Sequence, residues 1–171
     1  MLQIPNAMEI AKIAHQNQLR KYTHEPYIVH PMAVAGLVKA VSNRKKLIVS
    51  AILHDILEDT NISEKVLYNS FDKTSIDIVK ELTCPEYPNT NRKERQELEL
   101  YRLSGISDGA KLIKLADIID NVKTILLYDK DFSSVYIPEK RKQIKILTIS
   151  RYSPLYYGGL TLYNIANNLL K

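Results

Sequence analysis

The ten residues from Ala51 to Thr60, AILHDILEDT, constrain the fold of this chain more than any other stretch. Their apolar members have the spacing of a helix with a buried back, yet His54, Asp55, Glu58 and Asp59 are spread through the same run. An ionised group taken out of water without a partner is costly enough that it neutralises, pairs or binds a metal. On a wheel of about 100° per residue with His54 at the origin, Glu58 falls near about 40°, Asp55 near about 100° and Asp59 near about 140°. Ile52, Ile56, Leu53 and Leu57 fall between roughly 160° and 300°. One helix opened by the SNRKK segment and running through Thr60 would therefore have an apolar back and a front of one imidazole and three carboxylates.

The other segments read as helices too. Ile4, Ala7, Met8 and Ala11 predict a first helix running toward Lys21. Residues 22–30 hold Pro26 and little periodicity, and Pro31 suits the first position of a second helix, ending near Val41, with His30 at its cap. Ser63 to Leu82 predicts two short helices, and TCPEYPNTN after them a loop. A charged helix begins at Asn91, SGISDG is a second loop, and AKLIKLADIIDNVKTILL is an apolar helix, with about two more helices between Pro138 and Lys171. Strand alternation is absent over any useful length. The expected class is all-α, a single domain over residues 1–171 built as a helical bundle.

Composition removes several functional classes. Hydrophobic residues at 45% and charged residues at 25% are ordinary for a soluble globular chain and argue against disorder. The N-terminal MLQIPNAMEI lacks the features of a signal peptide, and no apolar run reaches the ~18 residues of a membrane span. A lone cysteine, Cys84, rules out an intramolecular disulfide and thiolate metal chemistry, and fits the cytoplasm. The net charge of +5 gives weak support for a polyanionic partner. Arg20-Lys21, Arg44-Lys45-Lys46, Arg92-Lys93 with Arg95, and Lys140-Arg141-Lys142 read singly as solvated helix faces or ends.

Asp117 and Asn121 lie one turn apart on a stripe flanked by Ile113 and Ile118, so Asp117 needs a cation or several donors. Together with His30, His54 and Asp55 it makes a mixed nitrogen and oxygen set suited to a divalent first-row metal in an open, water-bearing site. Each residue also has an ordinary reading. A His-Asp pair alone is usually a surface pair or a satisfied core histidine, Asp117 could form a salt bridge to Lys114 or Lys123, and His30 could cap its helix. His15 reads as a helix-surface residue and His24 as a loop residue, both outside the ligand set.

AHQNQLRK at 14–21, PYIVHPMAVA at 26–35, AILHDILEDT at 51–60 and GAKLIKLADIIDN at 109–121 occur in an order that resembles the HD-domain metal-dependent phosphohydrolases. More narrowly, they resemble the alarmone hydrolase branch: the hydrolase half of bifunctional Rel/Spo-type proteins and the small Mesh-type enzymes. The similarity covers about residues 5–125, leaving a helical C-terminal extension at 138–171. The resemblance implies metal ligands His30, His54, Asp55 and Asp117, usually holding manganese, with Glu58 and Asp59 orienting or activating the attacking water. It further implies that Arg20 and Lys21 lie against the nucleotide, that Asn121 contacts ribose or phosphate, and that Arg92 and Arg95 reach the pyrophosphate.

The implied activity is removal of the 3′-pyrophosphate of guanosine tetra- or pentaphosphate, a reaction of the stringent response. Two alternatives stand beside it: a phosphatase acting on the 2′-phosphate of NADPH or on a nucleoside 5′-monophosphate, and a nucleotide-binding sensor without turnover. The expected partner is a small phosphorylated guanine nucleotide, with neither membrane nor nucleic acid, and a homo-oligomer is left open. Four features depart from the family pattern: the YTHE loop between Arg20-Lys21 and Pro26, which is shorter and less Gly-rich, IIDN in place of the usual aromatic or basic pair before the Asn, the dilution of the charged helix by Glu94, Glu97 and Glu99, and the segment beyond Pro138. Asp120 in IIDN reads as a solvated helix position, and Tyr152, Tyr156, Tyr157 and Tyr163 suit core packing or a partner face. No synthetase domain is expected within the 171 residues.

Overall fold

The apolar periodicity folds into helices throughout the computed structural model, in which residues 3–147 and 154–169 are described. No strand occurs among the described residues; one isolated bridge pairs Leu19 with Pro26. The helices gather in two compact units, Met1–Thr83 and Cys84–Lys171, which divide inside the proline-containing loop. No helix among the described residues is long and apolar enough to cross a membrane.

The first unit contains α1 (Gln3–Ala14), α2 (Val29–Val41), α3 (Lys45–Ile52), α4 (Ile56–Asp59), α5 (Glu64–Ser70) and α6 (Lys73–Leu82). α3 is its central element: α1, α2 and α6 all pack on it, and Leu47 to Ile52 are buried without interruption. A helix enclosed on every side must be apolar all round, which accounts for the first half of the AILHDILEDT run.

The single helix expected through Thr60 is broken. Leu53 leaves helical backbone at φ −100 and ψ 4, residues 53–55 form a turn, and α4 restarts at Ile56. The cause is local hydrogen bonding at the end of α3. The Leu53 amide still reaches Val49, but the Ile56 amide closes on Leu53 at 3.0 Å, and the His54 side chain takes the Ala51 carbonyl at 2.9 Å. The wheel therefore fails beyond Ile52. His54 is buried and Asp55 half-buried, whereas Glu58 and Asp59 are exposed on the short α4.

α1 stops at Ala14, short of Lys21, because the Gln18 amide turns back onto the His15 carbonyl at 3.0 Å and the chain enters a closed loop. That loop is held by Arg20 N on Glu25 O at 2.9 Å and His24 N on Arg20 O at 3.0 Å, with His24 in the left-handed region at φ 55. A side chain there crowds the following carbonyl. His24→Gly is expected to raise stability by about 0.5–1 kcal/mol, read as a higher urea midpoint with an unchanged m-value. α2 starts two residues earlier than expected, so His30 is its second residue and not its cap, and Pro31 lies in the first turn, where a missing N–H costs nothing.

The second unit contains α7 (Arg92–Gly105), α8 (Asp108–Tyr128), α9 (Lys130–Ile146) and α10 (Pro154–Leu169). Asn91 and Glu94 form a reciprocal capping box on α7, and the Ser107 hydroxyl accepts from the Ala110 amide at the start of α8. α8, α9 and α10 pack against one another and α7 packs on α9. The C-terminal helical segment begins at Lys130 and not at Pro138, which lies inside α9. Burial of Ile137 and Ile144 on that helix opposes the cost of an interior proline. A Cβ placed on Gly159 would stand 3.2 Å from Leu115 Cδ1, so the small residue lets α10 approach α8. Of the tyrosines in this region, Tyr163 is buried and Tyr157 exposed, while Tyr152 lies outside the described residues.

Candidate metal centre

His54 is oriented by the helix that ends beside it. A carbonyl oxygen only accepts, so the 2.9 Å contact with Ala51 O makes Nδ1 the donor and leaves the lone pair of the neutral ring on Nε2. A metal-binding histidine is commonly fixed in this way, its far N–H held by a carbonyl so that the other nitrogen faces the ion. His54 Nε2 is 3.0 Å from Asp55 Oδ2, and His30 Nε2, coming from the first turn of α2, is 3.5 Å from the same oxygen. The two imidazoles stand edge to face at 5.1 Å and are 2% and 3% exposed. Two imidazole nitrogens and a carboxylate oxygen thus converge in a protected place, and a cation is what such a donor set accommodates. The mixture of nitrogen and oxygen, without sulfur, fits a divalent first-row ion.

Asp55 has a further partner. Tyr27, from the loop before α2, donates its hydroxyl to Asp55 Oδ2 at 2.7 Å. Burial first, and then the charge of Asp55 and the bond to it, push the Tyr27 hydroxyl well above the usual tyrosine range. It therefore stays protonated and remains a donor. Neither Tyr27 nor Gln18, whose amide lies 3.4 Å from Asp59 Oδ2, stands out in the sequence as a site residue, although both lie inside the AHQNQLRK and PYIVHP blocks. His15 corrects the surface reading: it is 3% exposed and bonded to Gln18 at 2.7 Å. Arg20 is half-buried and Lys21 exposed, the latter with its ammonium 4.9 Å from the Tyr22 ring.

In the second unit Asp117 is 6% exposed, and two of its partners lie on α8 itself. Asn121 Nδ2 donates to Oδ1 at 2.6 Å, and Lys114 Nζ is 3.0 Å from Oδ2, the salt bridge that the ordinary reading anticipated. Lys123 pairs instead with Asp120 at 2.6 Å. Asp120 is 2% exposed, so the solvated position expected for it is wrong; the aspartate turns inward while the Lys123 side chain that pairs with it stays exposed.

The basic clusters also divide. Arg92 forks onto Glu139 at 2.8 and 2.9 Å and lies 5.5 Å from the Phe132 ring, whereas Arg95 is exposed. Lys140 is not a solvated residue: it is half-buried beside Gln143 at 3.0 Å. Burial, and next the ammonium of Lys114, bring its amine down to about 8.

The family model described as HD domain matches residues 7–155. The chain belongs to the HD domain family. That match runs through both compact units, so the HD domain includes the His-Asp turn as well as α8. Among curated HD-domain relatives, an Aquifex aeolicus protein named guanosine-3′,5′-bis(diphosphate) 3′-pyrophosphohydrolase is 32% identical over 168 residues, covering 98% of this chain and 23% of the relative. The Drosophila melanogaster protein named guanosine-3′,5′-bis(diphosphate) 3′-pyrophosphohydrolase MESH1 is 31% identical over 121 residues, covering 69% of this chain and 66% of the relative. A solved structure described as a metazoan ortholog of SpoT that hydrolyzes ppGpp shares the fold with a TM-score of 0.86 at 23% identity, over 99% of this chain and 97% of its own. The chain spans less than a quarter of the length of the bacterial relative. These relatives are of the Rel/Spo and Mesh types that the four sequence blocks resemble.

Proposed function

We propose that this HD domain is a divalent-metal-dependent hydrolase that removes the 3′-pyrophosphate of guanosine tetra- and pentaphosphate, giving GDP or GTP and pyrophosphate. The observation that carries the reading is the convergence of His30 Nε2, His54 Nε2 and Asp55 Oδ2. The names of the relatives supply the substrate class. His30, His54, Asp55 and Asp117 would hold the ion, for which manganese is our assignment; Asp117 enters on the KLAD motif and the family membership. A divalent ion bound there supplies an acidified water and a polarised phosphoryl oxygen.

The chain's own side chains do the rest. Glu58 and Asp59, exposed on α4 one turn beyond Asp55, take the proton of the attacking water. Arg20 and Lys21 bind the nucleotide, and Asn121 its ribose or phosphate. Arg95, exposed at the start of α7, meets the pyrophosphate, and Arg92 joins it by exchanging Glu139 for phosphate oxygens of similar fork geometry. The lone Cys84 supports a reducing compartment, and we assign the enzyme to the cytoplasm.

The test is a hydrolysis panel of guanosine tetraphosphate, NADPH and deoxynucleotides with Mn²⁺, Mg²⁺, Ni²⁺ or Zn²⁺ and after chelation. The expected result is pyrophosphate from guanosine tetraphosphate, lost with chelator and restored by Mn²⁺. Orthophosphate from NADPH or a 5′-monophosphate instead would make the chain a phosphatase, and binding without product would make it a sensor.

A further inference from the structure

The hydrogen bonds that reach Asp55 and Asp59 lead back to one buried imidazole just beyond α1. His15 is 3% exposed, its Nδ1 lies 2.7 Å from Gln18 Oε1, and its ring centroid is 4.9 Å from that of Tyr27. An amide oxygen only accepts, so His15 Nδ1 carries the proton and the Gln18 amide is turned with its NH₂ away from His15. That NH₂ is 3.4 Å from Asp59 Oδ2. The opposite amide orientation would set an oxygen against a carboxylate, so both contacts demand the same rotamer. On its other side His15 packs against Tyr27, whose hydroxyl donates to Asp55 Oδ2 at 2.7 Å and whose ring meets His30 at 5.7 Å.

We infer that His15, Gln18 and Tyr27 are positioning residues: Tyr27 fixes the Asp55 carboxylate for the metal, Gln18 aims Asp59, and His15 locks the two donors together. The need for them is visible in the backbone. Asp55 belongs to the turn where α3 ends, and Asp59 is the last residue of a four-residue helix, so neither is held by a long regular element. A bonded carboxylate on such a segment keeps one orientation where a solvated one would sample several, and placement within a fraction of an ångström is what acid-base chemistry requires. The 3.4 Å contact is long for a resting hydrogen bond, as catalytic contacts often are before substrate closes the site. The Asp59 half of the inference rests on the hydrolase reading, whereas the Asp55 half requires only that the site bind a metal.

The experiment uses the full chain and reads Mn²⁺ affinity by calorimetry beside kcat and KM on guanosine tetraphosphate, with circular dichroism for fold. Tyr27→Phe is expected to weaken Mn²⁺ binding about tenfold. Gln18→Leu is expected to lower kcat about tenfold while KM and Mn²⁺ affinity stay within about twofold. His15→Leu should show both losses, and His15→Asn, whose side-chain N–H can take the place of Nδ1–H, should recover most of each. Wild-type Mn²⁺ affinity in Tyr27→Phe overturns the Asp55 half, and wild-type kcat in Gln18→Leu overturns the Asp59 half. A His15→Asn no better than His15→Leu overturns the role of His15. If the wild-type chain binds Mn²⁺ but leaves guanosine tetraphosphate intact, the hydrolase reading has failed separately. The Asp59 half is then decided by whether Asp59→Asn shifts the Gln18 side-chain amide signals in nitrogen-15 spectra. A shift supports the contact, and none removes it.

Discussion

On the proposed function, His54→Ala is expected to abolish Mn²⁺-dependent turnover, by at least about a thousandfold, because it removes an imidazole that would hold the ion. Two effects are mixed in that variant. The first is the loss of Nε2, which faces Asp55 at 3.0 Å and would ligate the ion. The second is the loss of the Nδ1 donor to Ala51 O at the end of α3, where the last carbonyls of a helix lack partners within it. Deleting that bond in a buried place costs about 1 kcal/mol or more. His54→Asn separates the two, since its amide can still donate to Ala51 O but has nothing in the position of Nε2. The expected outcome is a thermal midpoint close to wild type with Mn²⁺ binding lost in calorimetry, whereas His54→Ala loses both. Retained Mn²⁺ affinity in His54→Asn would remove His54 from the ligand set.

The same residue explains which parts of this site are legible in a sequence. That His54 and Asp55 need compensation follows from composition alone, since charged groups in an apolar run demand partners. So does the all-α class, because every apolar segment has a period near that of a helix. What the period cannot reveal is the end of α3. Helical spacing continues unbroken from Ile52 to Asp59, and the chain leaves the helix only because side-chain and short-range amide bonds at Leu53, His54 and Ile56 replace the regular ladder. The wheel therefore places His54, Asp55, Glu58 and Asp59 on one continuous helix face, which the turn at residues 53–55 divides.

Burial of polar residues was hidden for a related reason. His15 and Asp120 look solvated because nothing in their neighbours' spacing marks an inward turn, and each becomes buried by finding a partner three positions away, Gln18 and Lys123 respectively. Propensity arguments count single residues, whereas these are pairs. Pro138 misled in the opposite sense: it reads as a boundary, but packing on Ile137 and Ile144 carries α9 through it.

The second large effect is expected at α4. Glu58→Gln and Asp59→Asn each keep the shape of the side chain and remove its capacity to take a proton. Both residues are exposed, so the fold should be unaffected, and neither belongs to the converging set of His30, His54 and Asp55, so Mn²⁺ affinity should stay within about threefold of wild type. Turnover of guanosine tetraphosphate should fall by about 10²–10⁴-fold, the usual worth of a positioned general base. Calorimetry and steady-state kinetics on the same preparations check the two halves. The pair need not fall equally. Asp59 Oδ2 is the oxygen that Gln18 approaches, so Asp59 is presented in a fixed orientation, and an asparagine there would keep that contact only by turning its oxygen toward the Gln18 amide. Its nitrogen would then face the position of the water as a donor, the reverse of what a base must offer. Asp59→Asn is therefore expected to be the more damaging of the two, and full activity in Glu58→Gln would leave Asp59 as the base.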